Sequence, residues 1–357
     1  MKHWNETAQL LDRAAALAAA GRRAALATVV GIRGSAYRRP GARLLIENDG
    51  ATLGGVSGGC LEGDVREVAL DVLRTGVPRL LHYETGDDDS VVWGLGLGCS
   101  GAVDVFVQPA DSPRATDGLR AVRALLAGDE PFAICTVIEG AVDLGRVAAF
   151  GVHRDEAAAT DRALERIAAA ALERGESGLE QAGPRRVFVE VLSPPPSLFI
   201  CGAGDDARPL AALAASAGFG VTVLDHRPAY VTAERFPAAR GLVCRRPEAG
   251  AGDLRVGPDA AVVSMTHSFA HDRDWLRAFL ATDARFVGLL GPRDRRDEIL
   301  RQLGPDDDVR VFAPVGLDLA ADGPEQIAVS IVAELLSVRA GREPGHLRDR
   351  EAAIHAC

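Results

Sequence analysis

Cys99 lies in the segment Trp93-Gly94-Leu95-Gly96-Leu97-Gly98-Cys99-Ser100-Gly101. Glycine at alternate positions removes side chains from one face of a backbone and lets another group approach closely. A thiol beside Gly98, at the mouth of such a loop, is open to a ligand, a metal or a sulfur donor. The competing reading is a tight turn that carries a small buried cysteine. A second glycine-rich segment, Gly54-Gly55-Val56-Ser57-Gly58-Gly59-Cys60, feeds a predicted helix over about 61–74. Its first turn carries Glu62 and Asp64, where the helix dipole favours acids. A third loop, 33–41, contains Arg38 and Arg39. Backbone N–H groups at a helix start and paired arginines both suit a phosphate.

A different chemistry is written after Ser193-Pro194-Pro195-Pro196-Ser197. The short apolar strand Leu198-Phe199-Ile200-Cys201 runs into Gly202-Ala203-Gly204-Asp205-Asp206-Ala207, then a helix, then the strand Gly220–Leu224 ending in Asp225. This is the order of a dinucleotide-binding turn. Gly202 allows the tight turn, Gly204 lets backbone meet a pyrophosphate, and Ala207 lets helix and strand pack closely. Asp225 follows at about the spacing of an acid that binds a ribose hydroxyl. Asp205 and Asp206 add negative charge where the pyrophosphate would sit. His267 follows a predicted strand, 260–265, at the sheet end where open α/β folds bind ligands. It reads either as an acid/base or ligand contact, or as a loop residue capping a turn. The arginines after Gly291 read either as phosphate contacts or as solvated charges.

These loops need a scaffold, and the totals permit a large one. The chain has 357 residues, 47% hydrophobic and 25% charged, with a net charge of -10, the profile of a soluble globular protein with two domains. An acidic chain without basic blocks disfavours nucleic acid. No apolar run reaches the ~18 residues of a membrane span, and the N-terminus reads as an amphipathic helix over about 3–20, not a signal peptide. A cytoplasmic location is expected. The six cysteines are widely spaced and form no C-x-x-C, which argues against a zinc site or disulfide framework. Cys135, Cys201 and Cys244 fall in or at the end of apolar strand-like runs and read as core; Cys357 falls on a tail.

The prolines at 194–196 make a stiff spacer and divide the chain into 1–193, 194–342 and a flexible tail, 343–357. The first domain reads as α+β. The second reads as α/β, a Rossmann-like parallel sheet with strands at 241–244, 260–265, 285–290 and 310–312 and helices at 272–281, 294–303 and 324–339.

Five segments together resemble the XdhC/CoxI family of xanthine dehydrogenase accessory factors: 34–42, 56–62, 94–101, 288–293 and 314–318. The resemblance implies a chaperone that binds the molybdenum cofactor (molybdopterin), supports its sulfuration with a cysteine desulfurase, and inserts it into apo xanthine dehydrogenase or a related molybdenum hydroxylase. It implies a homodimer. On that reading Cys99 ligates the metal or relays sulfur, a role suited to a soft thiolate. Gly98, Cys60, Gly59, Ser57, Arg38 and Glu62 then contact the cofactor, with Gly202, Gly204, Asp225 and His267 left for a nucleotide such as NAD(P). The alternatives are an NAD(P)-dependent oxidoreductase built on the Rossmann turn, and a docking scaffold.

Overall fold

The computed structural model describes residues 2–34, 38–84, 101–152, 161–304 and 309–350. Cys99 and Gly98 lie outside them. The chain separates into two compact units, Met1–Pro194 and Pro195–Cys357.

The first unit holds two antiparallel sheets. Helix α1 (Lys2–Ala19) leads into β1 (Ala24–Gly34), β2 (Arg43–Glu47) and β3 (Thr52–Gly54), then α2 (Glu62–Thr75), β4 (Arg79–Glu84) and β5 (Gly101–Pro109). These strands form one sheet in the order β3-β2-β1-β5-β4. After α3 (Pro113–Leu126) come β6 (Phe132–Glu139), β7 (Val147–Gly151), α4 (Arg162–Arg174), β8 (Gly178–Ala182) and β9 (Arg185–Leu192). These strands pair as β7-β6-β9-β8. Alternation along β1 and β5 divides the core. Ala25, Ala27, Val29, Val105 and Val107 pack with Val65, Ala69 and Val72 of α2. Val30 and Phe106 pack with Ile138 of β6 and Phe188 of β9.

The second unit is a six-stranded parallel sheet. Its strands are β10 (Ser197–Cys201), β11 (Gly220–Asp225), β12 (Gly241–Cys244), β13 (Ala261–Ser264), β14 (Phe286–Leu289) and β15 (Val311–Phe312). Their order, β12-β11-β10-β13-β14-β15, is the doubly wound arrangement of dinucleotide-binding folds. Helices α5 (Ala207–Ser216) and α8 (Pro324–Ala340) cover one face through Leu210, Ala214 and Ile331. Helices α6 (Phe269–Leu280) and α7 (Arg293–Leu303) cover the other through Trp275, Phe279 and Ile299. The near-continuous apolar strands follow from burial on both faces. Among the described residues no helix is long and apolar enough to cross a membrane.

Candidate functional site

In the first unit, strand register brings the described ends of the glycine-rich segments to one end of the five-stranded sheet. Gly34, the last residue of β1, pairs with Gly101, the first of β5, and Glu84 of β4 pairs with Ala102. The chain that carries Cys99 therefore leaves and re-enters the sheet beside the start of the Arg38 loop. On the other side Arg43 of β2 pairs with Thr28, and Gly54 of β3 pairs with Leu44, so the Ser57 loop departs in the same direction. Helix α2 ties these parts together. The hydroxyl of Tyr83, beside Glu84, donates to Asp64 in its first turn. Burial and this carboxylate raise the phenol's pKa above its ordinary range.

The Ser57 loop is braced by its own side chains. Glu62 folds back from the start of α2 to accept the N–H groups of Ser57 at 2.9 Å and Val56 at 3.2 Å, and the Ser57 hydroxyl donates to it. Ser57 Oγ in turn accepts the N–H groups of Gly59 and Leu61, each at 3.1 Å. Burial pushes the Glu62 carboxyl upward, but these donors outweigh it and hold the group below its usual range. The expected phosphate cradle is thus partly used by the loop itself. Gly58, Gly59 and Cys60 remain exposed. Arg38 reaches the same place. A Cβ on Gly55 would lie 3.3 Å from Glu62 Oε1 and 3.5 Å from Arg38 Nη2, so both side chains close around this glycine. Arg38 pairs with Glu6 of α1 at 2.9 Å, while its Nε is buried without a hydrogen-bond partner. Arg39 is exposed.

The end of the Arg38 loop is seated on a buried ion pair. Arg43 donates to Thr7 at 3.0 Å, to the carbonyl of Gly41 at 3.0 Å and to both oxygens of Glu190. Burial would raise the Glu190 carboxyl, but Arg43 and His3 lower it below its usual range. Gly41 is left-handed, with φ 94°, and any Cβ there would strike Glu190. A further pair is not foreseen from the sequence. Asp104 of β5, almost wholly buried, accepts from His82 of β4 at 2.8 Å. The two residues stand opposite each other across the strands, a pairing of distant segments that no local spacing announces.

Each expected nucleotide residue of the second unit has an internal role. Gly202 has φ 114°, and a Cβ on it would lie 2.6 Å from the Met265 carbonyl oxygen. Asp225, expected to face a ribose, is buried. It accepts the Ala203 N–H at 2.8 Å, the Arg227 N–H at 2.9 Å, and Arg227 Nε and Nη2 at 2.9 and 2.8 Å. Against the upward push of burial, these donors take its carboxyl down to about 2. His267 Nε2 lies 2.6 Å from Asp206 Oδ2. His226 and His271, not singled out from the sequence, meet edge to face at 4.8 Å between ring centres. Of the arginines after Gly291, Arg293 is exposed, while Arg295 pairs with the buried Asp272 and Arg296 donates to the Ala313 carbonyl at 3.0 Å.

Cys135 and Cys201 are buried as expected, and burial raises both thiols, Cys135 to about 12. Cys244 departs from expectation: it is exposed, because it ends β12, the edge strand of the parallel sheet. Among the described residues no group of three or more His, Cys, Asp or Glu is placed to hold a metal ion.

Two family profiles match the chain: the XdhC and CoxI family over residues 17–84 and the XdhC Rossmann domain over 198–335. A Bacillus subtilis protein, named as a probable subunit of xanthine dehydrogenase, is 33% identical over 88% of this chain and 93% of its own length. The chain belongs to the XdhC/CoxI family. Another XdhC/CoxI relative, the Escherichia coli molybdenum cofactor insertion chaperone PaoD, is 25% identical over 96% of this chain and 94% of its own. A crystal structure of a Bacillus halodurans protein described as a xanthine dehydrogenase superposes with a TM-score of 0.72, at 31% identity, covering 94% of this chain and 96% of that one. In this XdhC/CoxI chain the profile over 17–84 spans Arg38, Ser57, Cys60 and Glu62, and the Rossmann profile spans Gly202 through His267.

Proposed function

We propose that this chain is a xanthine dehydrogenase accessory protein that carries the molybdenum cofactor as cargo, supports its sulfuration, and delivers it to an apo molybdenum hydroxylase. The observation that carries the reading is the common departure point of the glycine-rich segments, with the Arg38 guanidinium, one N–H still unpaired, held beside the braced Ser57 loop. The name of PaoD, which aligns over nearly the whole chain, supports it.

Arg38 binds the cofactor's phosphate by a charge-assisted hydrogen bond. Gly58, Gly59 and Cys60 offer an open backbone surface to the pterin. Cys99 supplies the thiolate that holds the metal or passes on sulfur received from a cysteine desulfurase. The protein works in the cytoplasm as a homodimer.

The test is cofactor retention. Purified protein is mixed with molybdenum cofactor and desalted, and molybdenum and oxidised pterin fluorescence are measured. Near-stoichiometric retention is expected, with molybdenum falling at least about tenfold in Cys99→Ser and pterin falling in Arg38→Ala, in keeping with the loss of a charged contact. Absence of retained pterin in the parent protein sinks the reading.

A further inference from the structure

The sequence of the Rossmann turn leaves NAD(P) binding open, with two acids set against it, and the folded arrangement bears on that choice. In a dinucleotide-binding domain the pyrophosphate lies against the second glycine and the start of the following helix, at the point where the strand order reverses. That point here is between β10 and β13, which are adjacent, with Cys201 paired to Ser264. The carboxylate of Asp206 already lies there. A Cβ on Gly204 would be 2.5 Å from Asp206 Oδ1. The other oxygen, Oδ2, is 2.6 Å from His267 Nε2. The pair thus joins the turn after β10 to the turn after β13, across the reversal point.

The joint is built from both sides. His267 is held in the left-handed region, φ 58°, a conformation that costs free energy for a side-chain-bearing residue and persists only where the surroundings enforce it. The residues just before His267 are pinned by Asp272, fully buried. It accepts from the Ser264 hydroxyl at 2.8 Å, the Thr266 N–H at 3.0 Å and the Thr266 hydroxyl at 2.7 Å, and it pairs with Arg295. On the opposite side Asp205 pairs with Arg235 at 3.0 Å, and the same guanidinium donates to the Ala203 carbonyl at 3.2 Å. The ribose position is closed in the same manner: both oxygens of Asp225 are taken by Ala203 and Arg227.

We infer that this Rossmann domain excludes NAD and NADP because the Asp206 carboxylate, held by His267, stands where their pyrophosphate would bind, and that removing this carboxylate uncovers a latent pyrophosphate site. A pyrophosphate brought to Gly204 meets a like charge at contact distance, which strongly opposes binding. Once the carboxylate is gone, the turn and the start of α5 regain the geometry that binds anions. The inference concerns the second unit alone and stands whether or not the first unit carries the molybdenum cofactor.

The test is calorimetric titration of the full chain with NAD, NADP and inorganic pyrophosphate, comparing the parent with Asp206→Ala and Asp206→Asn. The asparagine variant removes the charge and keeps the shape; circular dichroism confirms that each variant is folded. The parent is expected to bind none of the three at millimolar concentration. At least one variant is expected to bind pyrophosphate about tenfold more tightly or better, the change that loss of one opposing charge produces. Micromolar binding of NAD or NADP by the parent overturns the inference. So does pyrophosphate affinity in both variants no higher than the parent's.

Discussion

Two glycine turns in this molecule open onto helices, and each already holds a carboxylate of its own. In the first unit the acid is Glu62, which lies beyond the turn at the start of α2 and reaches back to the amides of Val56 and Ser57 at the turn's entrance. It braces the loop from the side and leaves Gly58 to Cys60 exposed. In the second unit the acid is Asp206, within the turn, lying over Gly204. The same kind of group, a carboxylate held near a helix start by partners from the chain itself, Val56 and Ser57 in one case and His267 in the other, leaves one turn open and the other filled. A glycine-rich motif therefore does not announce a ligand by itself. The position of the nearest acid relative to the turn decides what space is left.

The largest expected effect concerns the ion pair beneath the Arg38 loop, next to the open turn. Glu190→Ala leaves Arg43 buried without its partner, and removal of one member of a buried pair costs about 3–5 kcal/mol. Urea denaturation of the variant measures this; a cost below about 1 kcal/mol would mean that the ion pair does not hold the Gly41 loop in place.

The next prediction probes the filled turn. Asp225→Ala removes charge-assisted hydrogen bonds to Ala203 and Arg227 and is expected to cost about 2–3 kcal/mol. The pH dependence has a definite sign. The folded carboxyl titrates at about 2, against an ordinary value of 3.8. Its stabilising contribution is complete above the ordinary value and is lost as pH falls through the folded value. Stability measured between pH 5 and 2, about the window in which such a carboxylate protonates, should fall less steeply in Asp225→Asn than in the parent; parallel curves would refute the assignment.

A smaller effect is expected at the brace. Ser57→Ala removes the acceptor of two loop amides and one donor to Glu62, at a cost of about 1–2 kcal/mol. It also lets the Glu62 carboxyl rise toward its ordinary range, which carboxyl carbon NMR titration would detect. The smallest effect is expected for Cys60→Ser, since its side chain is exposed; a change within about 0.5 kcal/mol is typical of such positions. A thermal melt shifted by many degrees would show that this thiol is structural and that the turn is less open than described.

How far the sequence can be read differs between the two units for a physical reason. The Rossmann domain depends on contacts close in sequence. Gly202, Gly204 and Asp225 sit on one strand–helix–strand unit, and its helices and strands fall within a few residues of their expected limits. The Asp206–His267 contact is hidden because it spans 61 positions, although the extra charge at Asp205 and Asp206 hints at an occupied turn. In the first unit the glycine segments are visible, but their shared location is not. It follows from the pairing of Gly34 with Gly101 and of Gly54 with Leu44, which only the folded register supplies. Cys244 reads as core in the sequence because an apolar strand does not reveal whether it is central or at an edge.

The pairing of Glu84 with Ala102 governs what the five-stranded sheet can tolerate at that edge. The chain between β4 and β5 begins and ends at neighbouring points of a rigid ladder, so its closure does not depend on its own conformation. Lengthening such a loop is thermodynamically mild, about 0.6 kcal/mol for each doubling. The connection from Glu84 to Gly101 can therefore be lengthened at little cost, while the sheet that anchors its two ends keeps its register and its stability.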